Sequence, residues 1–320
     1  MEPSVRLPRA VVMAVLLAVL AAPCDASECV DKDLPPAWGG SCSYYAGQGT
    51  EGTTDFNYCK TCTEPSYRVF RANCCYCKEN GYGLGHCPDD AGVFADKAPL
   101  KTAVDEWTTD ASAAEAKHGS ISGWDVSRVD DLSSVFLSKT TFNEPLNWDT
   151  SKVTNMYGIF KSAEAFNSEP NWDTSSVTDM GSTFNFAKSF NKELAWDTSK
   201  VTRLEGTIYG AWAFNKPLDW DTSKVTNMRG TFGGAGVFNS ELLWDTSMVT
   251  DMEETFFRAY AFNSELVWDT SKVTNMNTCF NDAFAFNQPL DWDTSKVTHM
   301  ITTFNGKNGE TAFNQPGISA

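Results

Sequence analysis

The sequence predicts an α/β repeat solenoid, built from 24-residue units that each hold a short strand and a short helix or 3-10 segment, behind a small disulfide-rich module. Three observations carry that expectation. Trp124, Trp148, Trp172, Trp196, Trp220, Trp244, Trp268 and Trp292 stand 24 residues apart without a slip, and Val129 to Val297 keep the same interval. A fixed period of this size marks a fold in which each unit buries its apolar face against its neighbours. Inside one unit the periodicity changes. Leu146, Trp148 and Thr150 alternate with Asn147, Asp149 and Ser151, as in a strand with one buried face. Val153, Met156, Phe160 and Ala163 then follow at steps of three, four and three, a helical stripe with Thr154 at the N-cap position. Finally, eight cysteines crowd between positions 29 and 87, ahead of the first unit.

Residues 1–26 read as a signal peptide. Arg6 and Arg9 precede an apolar run from Ala10 to Ala22, and small residues Cys24 and Ala26 offer a cleavage site before Ser27. The run is too short for a bilayer span of about 20 residues, and an N-terminal anchor is the alternative reading. The chain is therefore expected to be secreted or held at the cell surface.

Residues 27–92 read as a cysteine-rich disulfide module. In a secreted chain, Cys29, Cys42, Cys59, Cys62, Cys74, Cys75, Cys77 and Cys87 read as disulfide cysteines, in any of 105 pairings. A zinc site at Cys59, Cys62, Cys74 and Cys77 is the alternative. Residues 93–120 read as a helical N-terminal cap, 121–304 as eight repeat units, and 305–320 as an incomplete ninth. Phe313 and Asn314 restart the unit after three extra residues, and the open C-terminal end is a candidate for self-association.

With 41 acidic and 25 basic residues the formal charge is −16, which disfavours nucleic acid and anionic lipid as partners. His86, His118 and His299 are scattered, and no GxSxG, P-loop or HExxH motif is present. No enzyme and no catalytic residue is expected. Cys279 replaces small residues in a column of Ile159 and threonines, so it reads as a buried, inert thiol.

The invariant Asp beside each Trp has two readings. Asp149, Asp173, Asp197, Asp221, Asp245 and Asp269 either fix Asp-Thr-Ser turns, screened by the Lys152 to Lys296 column, or line up as calcium ligands. Turn chemistry is favoured, because one carboxylate per unit falls short of calcium's six to eight oxygens, and no cofactor is expected. The column of Trp148, Trp172, Trp196, Trp220, Trp244, Trp268 and Trp292 reads as core. Asp219, Leu243, Val267 and Asp291 occupy a variable position that shares the open face of the strand, and this apolar patch between two acids is the candidate binding surface. Neutral drift at an exposed position explains the same variation.

The units, FNSELVWDTSKVTNM at 262–276 and FNQPLDWDTSKVTHM at 286–300 among them, resemble those of the BspA-like leucine-rich-repeat surface proteins of bacteria and protists. The lead-in FADKAPLKTAVDEW at 94–107, followed by ISGWDVS at 121–127, is similar to the helical start of such arrays. Many members of that family carry one more residue between the FN pair and the Trp. The resemblance implies a leucine-rich-repeat-like fold and an adhesive, non-enzymatic role with an extracellular protein or glycan as partner. A structural wall or matrix component and a calcium-dependent adhesin are the alternatives. WGGSCSYYA at 38–46 and RANCCYCKENG at 71–81 resemble cysteine-rich segments of secreted microalgal proteins.

Overall fold

The computed structural model describes residues 91–306 and 313–315. The expected signal peptide, the module holding the eight candidate disulfide cysteines, and most of the ninth repeat lie outside the described residues. The chain divides at Ala91 and Gly92, and all that follows concerns the unit Gly92–Ala320.

Two helices open it. In α1 (Lys97–Thr109), Asp96 accepts a cap bond from the Ala98 N–H, and Leu100, Ala103 and Val104 form the buried stripe. Asp110 ends α1 and starts α2 (Ala111–His118): its N–H donates to Glu106 while its carboxylate accepts from Ala113. Such dual use satisfies orphan backbone groups on both helices with one residue. Trp107 of α1 meets Trp124 edge to face at 5.9 Å, and Trp124 in turn stacks on Trp148 at 6.4 Å. The helices thus close one end of the aromatic core.

Each later unit lies beside its predecessor in parallel register. Backbone bridges join Asp131–Asn155, Asn155–Asp179 and so on to Asn275–His299, always 24 residues on. Burial alternates through the tryptophan segment: Leu242, Trp244 and Thr246 are buried, Leu243 and Asp245 exposed. No strand ladder forms there. Side chains make the links instead, with Thr246 Oγ1 donating to the Asp269 carbonyl of the next unit and Trp244 Nε1 to the Leu218 carbonyl of the one before.

The segment whose spacing predicts a short helix has a different backbone. In the second unit the N–H groups of Ile159, Lys161 and Ala163 close turns onto Met156, Gly158 and Phe160. Those of Met156, Gly158 and Phe160 point outward, to the carbonyls of Asp179, Gly181 and Thr183 in the next unit, at 2.9, 2.8 and 2.9 Å. Every fourth residue takes a positive φ: Gly158 at 61° and Ser162 at 58°. These occupy the third position of a four-residue turn, where a type II turn requires the left-handed region. A helix would return every N–H to its own unit; here alternate ones stitch the units together. Thr154 caps no helix either. Its N–H and Oγ1 both donate to the Asp130 carbonyl one unit back, and Thr178, Thr202, Thr226, Thr250, Thr274 and Thr298 repeat the arrangement.

Three ladders fill the interior. Tryptophans stack with centroids 5.9–6.4 Å apart and planes within 12° of parallel, an offset-stacked arrangement. The Phe of the FN pairs runs from Phe142 through Phe166 and Phe190 to Phe286, and continues onto Phe313 at 6.0 Å. A second phenylalanine column, Phe136 to Phe304, is broken once by Ile208. Outside the FN Phe ladder each Asn side-chain oxygen accepts the backbone N–H of the Asn one unit on, from Asn143–Asn167 to Asn263–Asn287. Asn314 bonds Asn287 in the same way across 27 residues. The three-residue insertion is therefore absorbed and the ladder resumes.

Candidate functional site

The four residues singled out as a binding surface fall in one column on four successive units, with Leu243 and Val267 adjacent and Asp219 and Asp291 flanking them. Leu243 is 81% and Val267 82% exposed, the highest values for any large apolar residue described. Asp219 and Asp291 are exposed as well. Exposure follows from the alternation: Leu and Trp on either side point inward, so this position must point out.

The Asp column lies two residues on, along the same face. In every unit the Oδ1 accepts the N–H of the Ser two positions later: Ser127 from Asp125, Ser151 from Asp149, and so on to Ser295 from Asp293, at 2.9–3.1 Å. These are Asx turns. The Ser hydroxyl, then its N–H, holds Asp173, Asp221 and Asp293 below the ordinary carboxylate value of 3.8; for Asp197 and Asp269 the N–H leads. Lys200, Lys224, Lys272 and Lys296 push the same way, and neighbouring Asp residues push back. Among the described residues no group of three His, Cys, Asp or Glu is placed to hold a metal ion.

The sign of the pH effect follows. A carboxylate whose folded value is depressed stabilises the fold fully above its unfolded value and loses that contribution as pH falls through the folded one. The urea midpoint is expected to be flat from neutral pH down to about pH 5 and to fall below about pH 4. Urea titrations across that range, repeated for Asp221→Ala, check it: the variant is expected to be weaker near neutrality and to show a shallower acid loss.

Cys279 is fully buried, and burial pushes its thiol up to about 12. Its column explains why a small polar residue suits the place. Thr183, Thr207, Thr231 and Thr255 each donate a hydroxyl to the carbonyl three residues back and to one in the preceding unit. A thiol donates only weakly. The native protein is expected to resist iodoacetamide at Cys279, and Cys279→Thr to be about 1 kcal/mol more stable by urea titration. Alkylation of the native protein at a rate near that of a free thiol would overturn the first expectation.

The histidines do not assemble a site. His118 is buried against Phe94 and Trp124 with Nε2 2.7 Å from Glu106, and His299 is exposed beside Thr298. His86 lies outside the described residues.

A further surface feature follows the turn segment of several units. The position after the buried Ala163 to Ala283 column carries Trp212, Tyr260 and Phe284 in three units, all exposed, and Gly236 in a fourth. The signal was present as a variable column, AWAFN, AGVFN, AYAFN and AFAFN, in an otherwise uniform stretch.

A family model described as "Mycoplasma protein of unknown function, DUF285" matches the chain three times, over residues 107–219, 169–266 and 242–319. No curated protein and no solved structure matches it.

Proposed function

Because the chain belongs to the DUF285 family, matched in tandem across the repeat region, we propose that it is a non-enzymatic binding scaffold of the BspA-like leucine-rich-repeat type, secreted or held at the cell surface. On this reading the stacked units form a solenoid, the charged N-terminal segment with its apolar run is a signal peptide, and the partner is an extracellular protein met through the Leu243–Val267 face. The observation that carries it is the pair of fully presented aliphatic side chains on adjacent units. Exposed apolar groups beside fixed charges are the usual composition of a contact surface. The uniform Asp-Thr-Ser turns support a rigid platform, because each carboxylate is engaged in its own loop.

The test is retention of the purified full chain on the surface of cells and on extracellular matrix, wild type against Leu243→Lys/Val267→Lys. The variant is expected to lose roughly tenfold or more in apparent affinity with its melting temperature unchanged, since both side chains lie outside the core. Equal retention sinks the assignment of this face. Concentration-dependent self-association in sedimentation velocity, abolished by the same pair of substitutions, would replace it with the structural matrix reading.

A further inference from the structure

The fifth unit is bare on its outer turn surface. Gly230, Gly233, Gly234 and Gly236 occupy positions that carry Gly206, Tyr209, Gly210 and Trp212 in the unit before and Glu254, Phe257, Arg258 and Tyr260 in the unit after. Trp212 is 55% and Tyr260 46% exposed. They share one column, two units apart, with only Gly236 between them.

Both rings are backed on their outer sides. Lys188 sits over Trp212 at 4.9 Å from the ring centroid and is itself held by Glu164 at 2.8 Å. Phe284 stacks on Tyr260 at 5.5 Å with the planes 9° apart. Lys188 belongs to the unit before Trp212 and Phe284 to the unit after Tyr260, so the uncovered face of each ring turns toward Gly236. Two units spaced at about 4.8 Å separate the rings by about 9–10 Å. A ring held between two carbon faces needs about 7–8 Å, twice a van der Waals contact. Tyr260 leans inward and narrows the gap: a Cβ on Gly236 would lie 3.3 Å from its Cδ2. A Cβ on Gly234 would meet the Gly210 backbone at 3.5 Å and no side chain, so the floor beside the slot is bare backbone.

The floor is polar. The Gly234 carbonyl and the Gly236 N–H have no hydrogen-bond partner among the described residues. An occupant with apolar faces and an apolar edge would strip water from both groups without replacing it, at a cost. A pyranose has two C–H faces and an edge of hydroxyls, each able to donate and accept. The flanking charges are already paired, Lys188 with Glu164 and Arg258 with Asp282 at 3.3 Å, so nothing selects an anionic sugar. We propose that the slot between Trp212 and Tyr260, floored by Gly234 and Gly236, is a subsite for one pyranose ring of an uncharged glycan.

This goes beyond the binding reading above and uses different residues, so the two fail separately. The experiment is isothermal titration of the full chain with cellohexaose, laminarihexaose, xylohexaose and mannohexaose, and with a blocked tryptophan-containing tetrapeptide as competitor class. Saturable binding of at least one of the sugars is expected. Trp212→Ala and Gly236→Val are each expected to weaken it at least about tenfold. Both leave the melting temperature within a few degrees, because Trp212 is exposed and Gly236 needs no positive φ. Leu243→Lys/Val267→Lys is expected to bind the sugar as wild type does. No saturable binding to any of the four sugars, sugar binding indifferent to Trp212→Ala and Gly236→Val, or binding of the peptide alone would each overturn the proposal.

Discussion

Trp220→Ala is expected to destabilise the repeat region by about 3–5 kcal/mol, the range for truncating a fully packed aromatic. Trp220 lies in the middle of the indole ladder, 6.4 Å from Trp196 with planes 3° apart and 5.9 Å from Trp244 with planes 11° apart. Its Nε1 donates to the Leu194 carbonyl at 3.3 Å. Truncation removes two stacking contacts, leaves that carbonyl without its donor, and opens a cavity that neighbours fixed by their own ladders cannot close. For a unit of this size each kcal/mol moves the midpoint by about 2–4 °C, so melting is expected to fall by about 6–20 °C. Trp220→Phe keeps a ring in the column and is expected to cost less than half as much. Calorimetry of the three proteins decides it, and an unchanged midpoint for Trp220→Ala would sink the claim that the indoles are the spine of the stack. Because each unit touches only its neighbours, hydrogen exchange is expected to quicken first in the units around Trp220, with α1 and α2 least affected.

What was legible in the sequence was the set of columns, and what was not was the backbone path between them. Identical residues at identical phase reveal which side chains stack, so Trp148, Phe166 and Val153 identify the interior without any knowledge of φ and ψ. The inward-outward alternation of Leu242 to Thr246 was equally open to reading, because a side chain that must stack cannot also face water. The helical stripe misled for a definite reason. Val153, Met156, Phe160 and Ala163 are spaced by three and four in a helix, and the same spacing arises when turns of four residues follow one another. The discriminating signal lay in the intervening positions. Gly158, Ser162, Gly206, Gly210, Gly230 and Gly234 all take positive φ, and in these three units small residues four positions apart argue for turns, whereas Phe186, Glu254, Arg258 and Asp282 hide the same turns in others. Thr154 is ambiguous for the same reason, since a hydroxyl that caps a helix also suits a donor to the preceding unit. The Asp column has a local reason for its invariance. Each carboxylate is kept by its own Ser N–H, whereas the variable columns, Leu243 with Val267 and Trp212 with Tyr260, hold the surface where units differ.

Gly210→Val is expected to cost about 2–5 kcal/mol, and its size comes from two separable causes. The backbone at Gly210 has φ +66°, a region that costs a side-chain-bearing residue about 1–2 kcal/mol and a β-branched one at least that. The added Cβ would lie 2.6 Å from Cδ1 of Phe186, whose ring rests over Gly210 from the unit before. Forcing that ring aside is an overpacking strain of about 1–3 kcal/mol. Tyr209 rests over Gly233 in the same way, and Tyr157 over Gly181, so an aromatic leaning onto the glycine of the next unit is a recurring device on this surface. A double-mutant cycle separates the causes. Phe186 is partly exposed, and Phe186→Ala alone is expected to cost under about 1 kcal/mol. In Phe186→Ala/Gly210→Val the clash is gone and only the backbone cost remains, so the pair is expected to be less destabilised than the sum of the singles by about 1–3 kcal/mol. Additive values within error would place the whole penalty on the backbone and leave Phe186 a bystander. A Gly210→Val protein as stable as wild type would mean that the turn at 208–211 does not require the left-handed region, and with it would go the account of how alternate N–H groups are turned outward to join one unit to the next.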